Sequence, residues 1–208
     1  GIACDMEEVM KVADEFNLYV IEDAAQAIDS YYTFANGETK PLGSIGDFGT
    51  FSFHETKNIM SGEGGMLAIN NEKFIDRAEI IREKGTNRSK FFRGEVNKYG
   101  WVDIGSSFLP SDIISAFLYA QLENLDAIQK RRCEIWDFYY TNLKSVSAID
   151  VPIIPSNSTN NAHMFYILLD SVESRDKLIE CLKSNGIWAV FHYQSLHKSS
   201  FFEDQYEG

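Results

Sequence analysis

Lys57 stands in the stretch FSFHETKNIMSGEGG, residues 51–65, after an aromatic run and before a cluster of glycines. A lysine in a loop is ordinarily a solvated cation. One placed just past a buried strand, with the hydroxyl of Ser52 five residues earlier and Gly62, Gly64 and Gly65 behind it, is a better candidate for covalent work. Its amine forms a Schiff base with a carbonyl once the surroundings let it shed its proton. Asp23, in the run EDAAQ, follows the short apolar stretch 18–21, at the position where open α/β sheets place their ligand sites. Taken alone, Asp23 reads more simply as a helix cap or a strand-end acid. Gln26 follows it by three residues.

Together these side chains meet a specific demand. Pyridoxal phosphate needs an amine for its aldehyde carbon, a carboxylate for its pyridinium nitrogen and donors for its phosphate. Lys57, Asp23 and Ser52 supply one of each. A carboxylate at the ring nitrogen keeps it protonated, and so keeps the ring an electron sink.

The elements that must position them follow from periodicity. Residues 5–16 set Met6, Val9, Met10, Ala13 and Phe16 on one helical face, and Asp5 with Glu8 resembles a capping box. The run LYVI, 18–21, predicts a strand buried on both faces. FGTFSF at 48–53 and MLAI at 66–69 predict two more, and residues 72–83 a helix with Phe74, Ile75, Ala78 and Ile81 inward. Ser111 caps a long helix whose pattern continues past Arg132 towards Leu143. Pro152, Pro155 and the run SNSTNN read as a linker, followed by a strand at 164–169, a helix at 174–185 and a strand at 187–191. This predicts an α/β fold. Residues 1–132 are the later part of a large domain with a mostly parallel sheet, and residues 133–208 begin a small C-terminal α/β domain.

Composition narrows the classes. The chain has 208 residues, 44% hydrophobic and 24% charged, with a net charge of −12. That charge argues against a nucleic-acid partner. No apolar run is long enough to span a bilayer, and no signal pattern opens the chain. Cys4, Cys133 and Cys181 lie far apart and form no CxxC, which fits a reducing cytoplasm. The four histidines show no metal spacing. Both ends read as cuts in a longer protein. A nicotinamide reading fails, because GSIGDFG at 43–49 has the wrong glycine spacing and precedes a strand.

EDAAQA, FSFHETKN and GEGGM resemble the signature of the DegT-type sugar aminotransferases, fold-type-I pyridoxal-phosphate enzymes acting on nucleotide-linked keto-sugars. The likeness continues through REKGTNRSKFFRGEVNKYGWVDIGSS, QLENLDAIQKRR and HYQSLH, and so covers essentially the whole chain. TNRSKFFRGEV and NAHMFYILL are especially similar to the branch that makes dTDP-4-amino-4,6-dideoxygalactose. The resemblance implies that Lys57 binds the cofactor covalently and shuttles the proton, that Asp23 pairs with the pyridinium nitrogen, that Gln26 sits at the ring, and that Ser52 binds the phosphate. It implies glutamate as amino donor, a sugar nucleotide (dTDP-4-keto-6-deoxyglucose) as acceptor, and a homodimer. A histidine at the lysine position marks a dehydratase branch of this family, so Lys57 favours transamination.

The chain departs from the family in two places. Ser107 and Leu109 occupy the positions of an Asn-x-Arg pair that reaches across the subunit interface in many relatives. The family's remaining phosphate contacts and its ring-stacking aromatic lie upstream of Gly1. These departures motivate a second reading, a non-catalytic module that keeps the fold and dimer surface without cofactor.

Arg82, Lys84, Arg88, Lys90, Arg93 and Lys98 form a basic run in an acidic chain. It reads either as a solvated loop or as a landing site for the substrate's diphosphate, with Arg88 and Arg93 as the forks. His197 is placed near the sugar by the resemblance, while His163 reads as structural. Trp101, Trp136 and Trp188 read as core or interface aromatics.

Overall fold

The computed structural model describes residues 1–202. Helix α1, Met6–Phe16, starts where the Asp5 carboxylate accepts the Glu8 N–H at 3.2 Å. It stops at Asn17, whose left-handed backbone (φ 51°) turns the chain out. Only Met6 and Ala13 of its expected apolar face are buried. The Leu18 N–H closes the helix end on the Ala13 carbonyl. The following strand therefore begins later than its apolar run suggests: β1 is Ile21–Asp23, not 18–21.

β2, Tyr31–Thr33, and β3, Thr39–Pro41, make an antiparallel hairpin. β4, Phe48–Ser52, and β5, Gly65–Ile69, complete a three-stranded sheet in the order β1-β4-β5. β4 runs parallel to β1, with Asp23 opposite Thr50, and antiparallel to β5, with Ser52 opposite Gly65. A buried core of Met6, Ala24, Ala27, Tyr32 and Leu42 joins α1 to the sheet's connections. A one-turn helix, Glu72–Phe74, precedes α2, Ile75–Arg82, and a short α3, Arg88–Phe92, follows.

The expected single long helix is two. α4, Asp112–Glu123, begins at the Ser111 cap, and α5, Leu125–Leu143, begins past Asn124. The Asn124 side chain donates back to the Ala120 carbonyl at 2.8 Å, a local bond that competes with helix continuation. α5 runs through residues 132 and 133, where the sequence reading sets its division.

Two compact units are present. The first is Gly1–Asn142 with Pro152–Phe165. Its second piece contains the supposed linker, which is instead packed: Asn161 and Ala162 are buried. Polar, proline-rich composition suggests a solvated stretch, but here the polar groups satisfy other chain segments. Asn161 Nδ2 donates to the Gln26 and Ile28 carbonyls, and Thr159 exchanges bonds with Tyr31. Buried Trp136 of α5 donates its indole N–H to the Met164 carbonyl and meets Phe165 edge-on. Trp101 and Trp188 are exposed, unlike the core role open to them.

The second unit, Leu143–Val151 with Tyr166–Gly208, contains α6, Val172–Ser184, capped by Ser171, and a one-turn helix, Leu196–Lys198. The strands expected at 164–169 and 187–191 are absent. A single bridge, Asp150 to Leu168, is all the pairing these residues make among those described. An apolar run becomes a strand only where a neighbour completes its ladder.

Candidate active site

β1 and β4 are parallel neighbours, so their C-terminal ends lie together. Side chains alternate across a sheet, and Asp23 is in register with Thr50. Asp23, Thr50 and Ser52 therefore occupy one face, and Glu22 occupies the other. Asp23 is exposed; its Oδ1 accepts the Ala25 N–H at 3.1 Å, which leaves Oδ2 for another donor. Ser52 Oγ accepts from the His54 N–H at 3.3 Å, so its own hydrogen is available to an acceptor. Gln26 sits on the turn after β1, its carbonyl tied to Asn161.

Lys57 lies in the turn beyond β4, half-buried, its N–H bonded to the His54 carbonyl at 2.9 Å. The loop that carries it is closed by backbone bonds: Phe53 N–H to Gly64, Glu55 N–H to Gly62, and Ser61 N–H back to Phe53. Gly62 and Gly64 have positive φ of 82° and 148°. The glycines thus close the loop behind the lysine. Among the described residues, neither Lys57 nor Asp23 takes part in an ion pair. A cation and an anion left unpaired beside strand ends, with an available hydroxyl, form a donor set that fits a pyridinium, an aldehyde carbon and a phosphate.

Behind the lysine lies a network that the sequence did not disclose. Buried Asn58 donates to Gln129 Oε1 and to the Asn161 carbonyl, and Gln129 donates to the same carbonyl at 3.2 Å. His163 Nδ1 stands 2.8 Å from Asn58 Oδ1. Burial, helped by the charge of Lys57, pushes the His163 ring down to about 4. Arg132 Nη2 donates to the His163 carbonyl at 2.6 Å. The only signal for Asn58 was its place next to Lys57.

Arg88, Lys90 and Arg93 of the basic run are paired with carboxylates. Arg93 grips Glu79 through both Nη atoms at 2.8 and 2.9 Å and reaches Glu95 through Nε, so these carboxylates hold its guanidinium above the usual range. Arg88 donates to Glu83 at 3.0 Å and lies over the Phe92 ring, and Lys90 meets Asp76. Ser107 bridges to Glu83, and Leu109 is exposed. His197 lies on the one-turn helix of the second unit and is exposed.

The α/β sheet, with Asp23 and Ser52 on one face and Lys57 in the turn beyond β4, is a fold-type-I pyridoxal-phosphate enzyme frame. Solved aminotransferases share it. The aminotransferase TlmJ of Streptoalloteichus hindustanus is similar with a TM-score of 0.82 at 25% identity, over 97% of this chain and 52% of that one. An aminotransferase of Brucella abortus gives 0.80 at 26% identity, over 98% and 50%. The chain belongs to the DegT/DnrJ/EryC1/StrS aminotransferase family, whose model matches residues 1–208. These are pyridoxal-phosphate-dependent sugar aminotransferases.

Among curated proteins, the chain is 33% identical to an uncharacterized protein of Methanocaldococcus jannaschii, over 97% of this chain and 53% of that one. It is 31% identical to the GDP-perosamine synthase of Escherichia coli O157:H7, over 100% and 53%. It is 29% identical to the spore coat polysaccharide biosynthesis protein SpsC of Bacillus subtilis, over 99% and 54%. The chain thus spans about half the length of the curated relatives it matches. Among the described residues no helix is long and apolar enough to cross a membrane.

Proposed function

We propose that this chain carries the lysine-bearing part of an enzyme that transfers an amino group from glutamate to a nucleotide-linked 4-keto-6-deoxy sugar, dTDP-4-keto-6-deoxyglucose being the preferred candidate. One observation carries the reading: Asp23 and Ser52 share a face at the ends of β1 and β4, and Lys57 follows with no ion-pair partner among the described residues. Bound pyridoxal phosphate supplies an aldehyde carbon to receive the amino group and a protonated ring to absorb an electron pair. Oδ2 of Asp23 would hold the proton on the ring nitrogen. The Ser52 hydroxyl would donate to the phosphate, and Gln26 would serve the ring. Lys57 would hold the group through Nζ, and the same amine would serve as the acid–base group that moves the substrate's proton.

Arg88 and Arg93 join the diphosphate by exchanging their carboxylate partners for phosphate oxygens. Glu83 is buried and Arg93 holds Glu79 with both Nη atoms, so the exchange has a cost that charge-assisted bonds to the diphosphate must offset. His197 contacts the sugar, and the active protein is a cytoplasmic homodimer. The perosamine synthase among the relatives supports a nucleotide-sugar substrate. Amino transfer from isotope-labelled glutamate, followed by mass spectrometry of the sugar nucleotide, tests this in the whole protein. A labelled amino-sugar product supports the proposal. A protein that binds neither cofactor nor sugar nucleotide supports the non-catalytic module instead.

A further inference from the structure

Asn58 follows Lys57 directly and is 5% exposed. Its amide nitrogen is surrounded by two oxygens, Gln129 Oε1 and the Asn161 carbonyl, each at 2.8 Å. That fixes which end of the amide is which, so the atom facing His163 is Oδ1. An amide oxygen only accepts. The hydrogen in the 2.8 Å contact with His163 Nδ1 must come from the imidazole. In the neutral ring this defines the Nδ1–H tautomer and leaves Nε2 bare.

The ring's surroundings keep it neutral. Burial acts first, followed by the positive charges of Lys57 and Arg132. Its backbone is fixed as well, since the His163 N–H donates to Asn161 Oδ1 at 3.1 Å and its carbonyl accepts from Arg132.

We propose that Asn58 and His163 form a positioning pair for Lys57, in which Asn58 ties the lysine's loop to α5 and to segment 152–165 and locks His163 as a neutral acceptor in the lysine's surroundings. The proposal rests on the reading of Lys57 as the reacting amine. A neutral ring adds no second cation beside the lysine. The bare Nε2 of the neutral ring is able to accept a hydrogen bond, and its weak hold on a proton makes it a poor base. Lys57 thus keeps the proton traffic, and the pair restrains the loop from which its amine extends.

Nitrogen NMR of the histidine-labelled chain tests the pair without cofactor. The His163 resonances, assigned by their loss in His163→Gln, are expected to show a protonated Nδ1 and a bare Nε2 at neutral pH. Asn58→Ala is expected to release the ring to the Nε2–H form. Lys57→Met is expected to raise the midpoint of the His163 titration. A wild-type ring in the Nε2–H form, or a midpoint indifferent to Lys57→Met, overturns the proposal. Both of those readouts stand even where Asn58→Ala does not fold. Cofactor trapping on Lys57 is a separate measurement. A locked tautomer with no trapping would leave the pair and sink the aminotransferase reading; trapping with a free tautomer would do the reverse.

Discussion

Glu22 and Asp23 are neighbours on β1 whose carboxylates face opposite sides of the sheet. Glu22 is buried, and it accepts three backbone N–H groups, from Gly43 at 2.7 Å, Ile45 at 2.6 Å and Gly46 at 2.7 Å. Asp23 accepts one, from Ala25. The same acidic dipeptide therefore builds the fold with one residue and leaves the other exposed at the strand end.

Glu22→Ala leaves those three amides without their acceptor. Each buried, unsatisfied donor costs about 1–3 kcal/mol, so the variant is expected to lose several kcal/mol. Denaturant unfolding followed by circular dichroism checks this; a midpoint within error of wild type would contradict it.

Asp23→Asn is expected to unfold at the wild-type midpoint, because its one structural bond is retained by the amide oxygen. Its cofactor affinity is expected to fall about tenfold to a hundredfold, the worth of a charge-assisted hydrogen bond of about 1.5–3 kcal/mol. Titration with pyridoxal phosphate, read by absorbance in the whole protein, provides the comparison.

The lysine, acid and hydroxyl were legible because each lies at the end of a local apolar run, and such runs are written contiguously. Asp5 and Glu8 likewise announced the start of α1 three residues apart. What was illegible depends on distance along the chain. Asn58 and His163 meet across 105 residues, and nothing local to either reveals the other. The linker composition at 152–161 concealed Asn161, whose amide donates to the Gln26 and Ile28 carbonyls. The apolar runs at 164–169 and 187–191 have strand composition, but pairing is a property of two segments.

Stability is expected to fall with pH in a window set by His163. Its folded-state value is lowered from the usual 6.5 to about 4. The unfolded chain therefore binds the proton first, and the stabilisation is complete above 6.5 and lost as pH drops towards about 4. His163→Gln should flatten the unfolding midpoint across this window. A wild-type midpoint already flat there would show that the ring is not held neutral.

Two glycine substitutions separate crowding from backbone strain. A Cβ on Gly49 would meet the Gly43 carbonyl oxygen at 2.1 Å, a backbone atom that cannot yield without moving the connection between β3 and β4. Gly49→Ala is expected to cost about 3 kcal/mol or more. Gly62 has open space around it and φ of +82°, so Gly62→Ala costs only the left-handed penalty, about 1 kcal/mol. Thermal unfolding of both variants distinguishes the two effects; equal losses would contradict the assignment.

The central claim concerns what Lys57 does. Pyridoxal phosphate added to the purified chain, reduced with borohydride and mapped by mass spectrometry, addresses it directly. Modification concentrated on Lys57 and lost in Lys57→Ala is the predicted result. Labelling scattered over several lysines, in this chain and in the whole protein alike, would contradict the account.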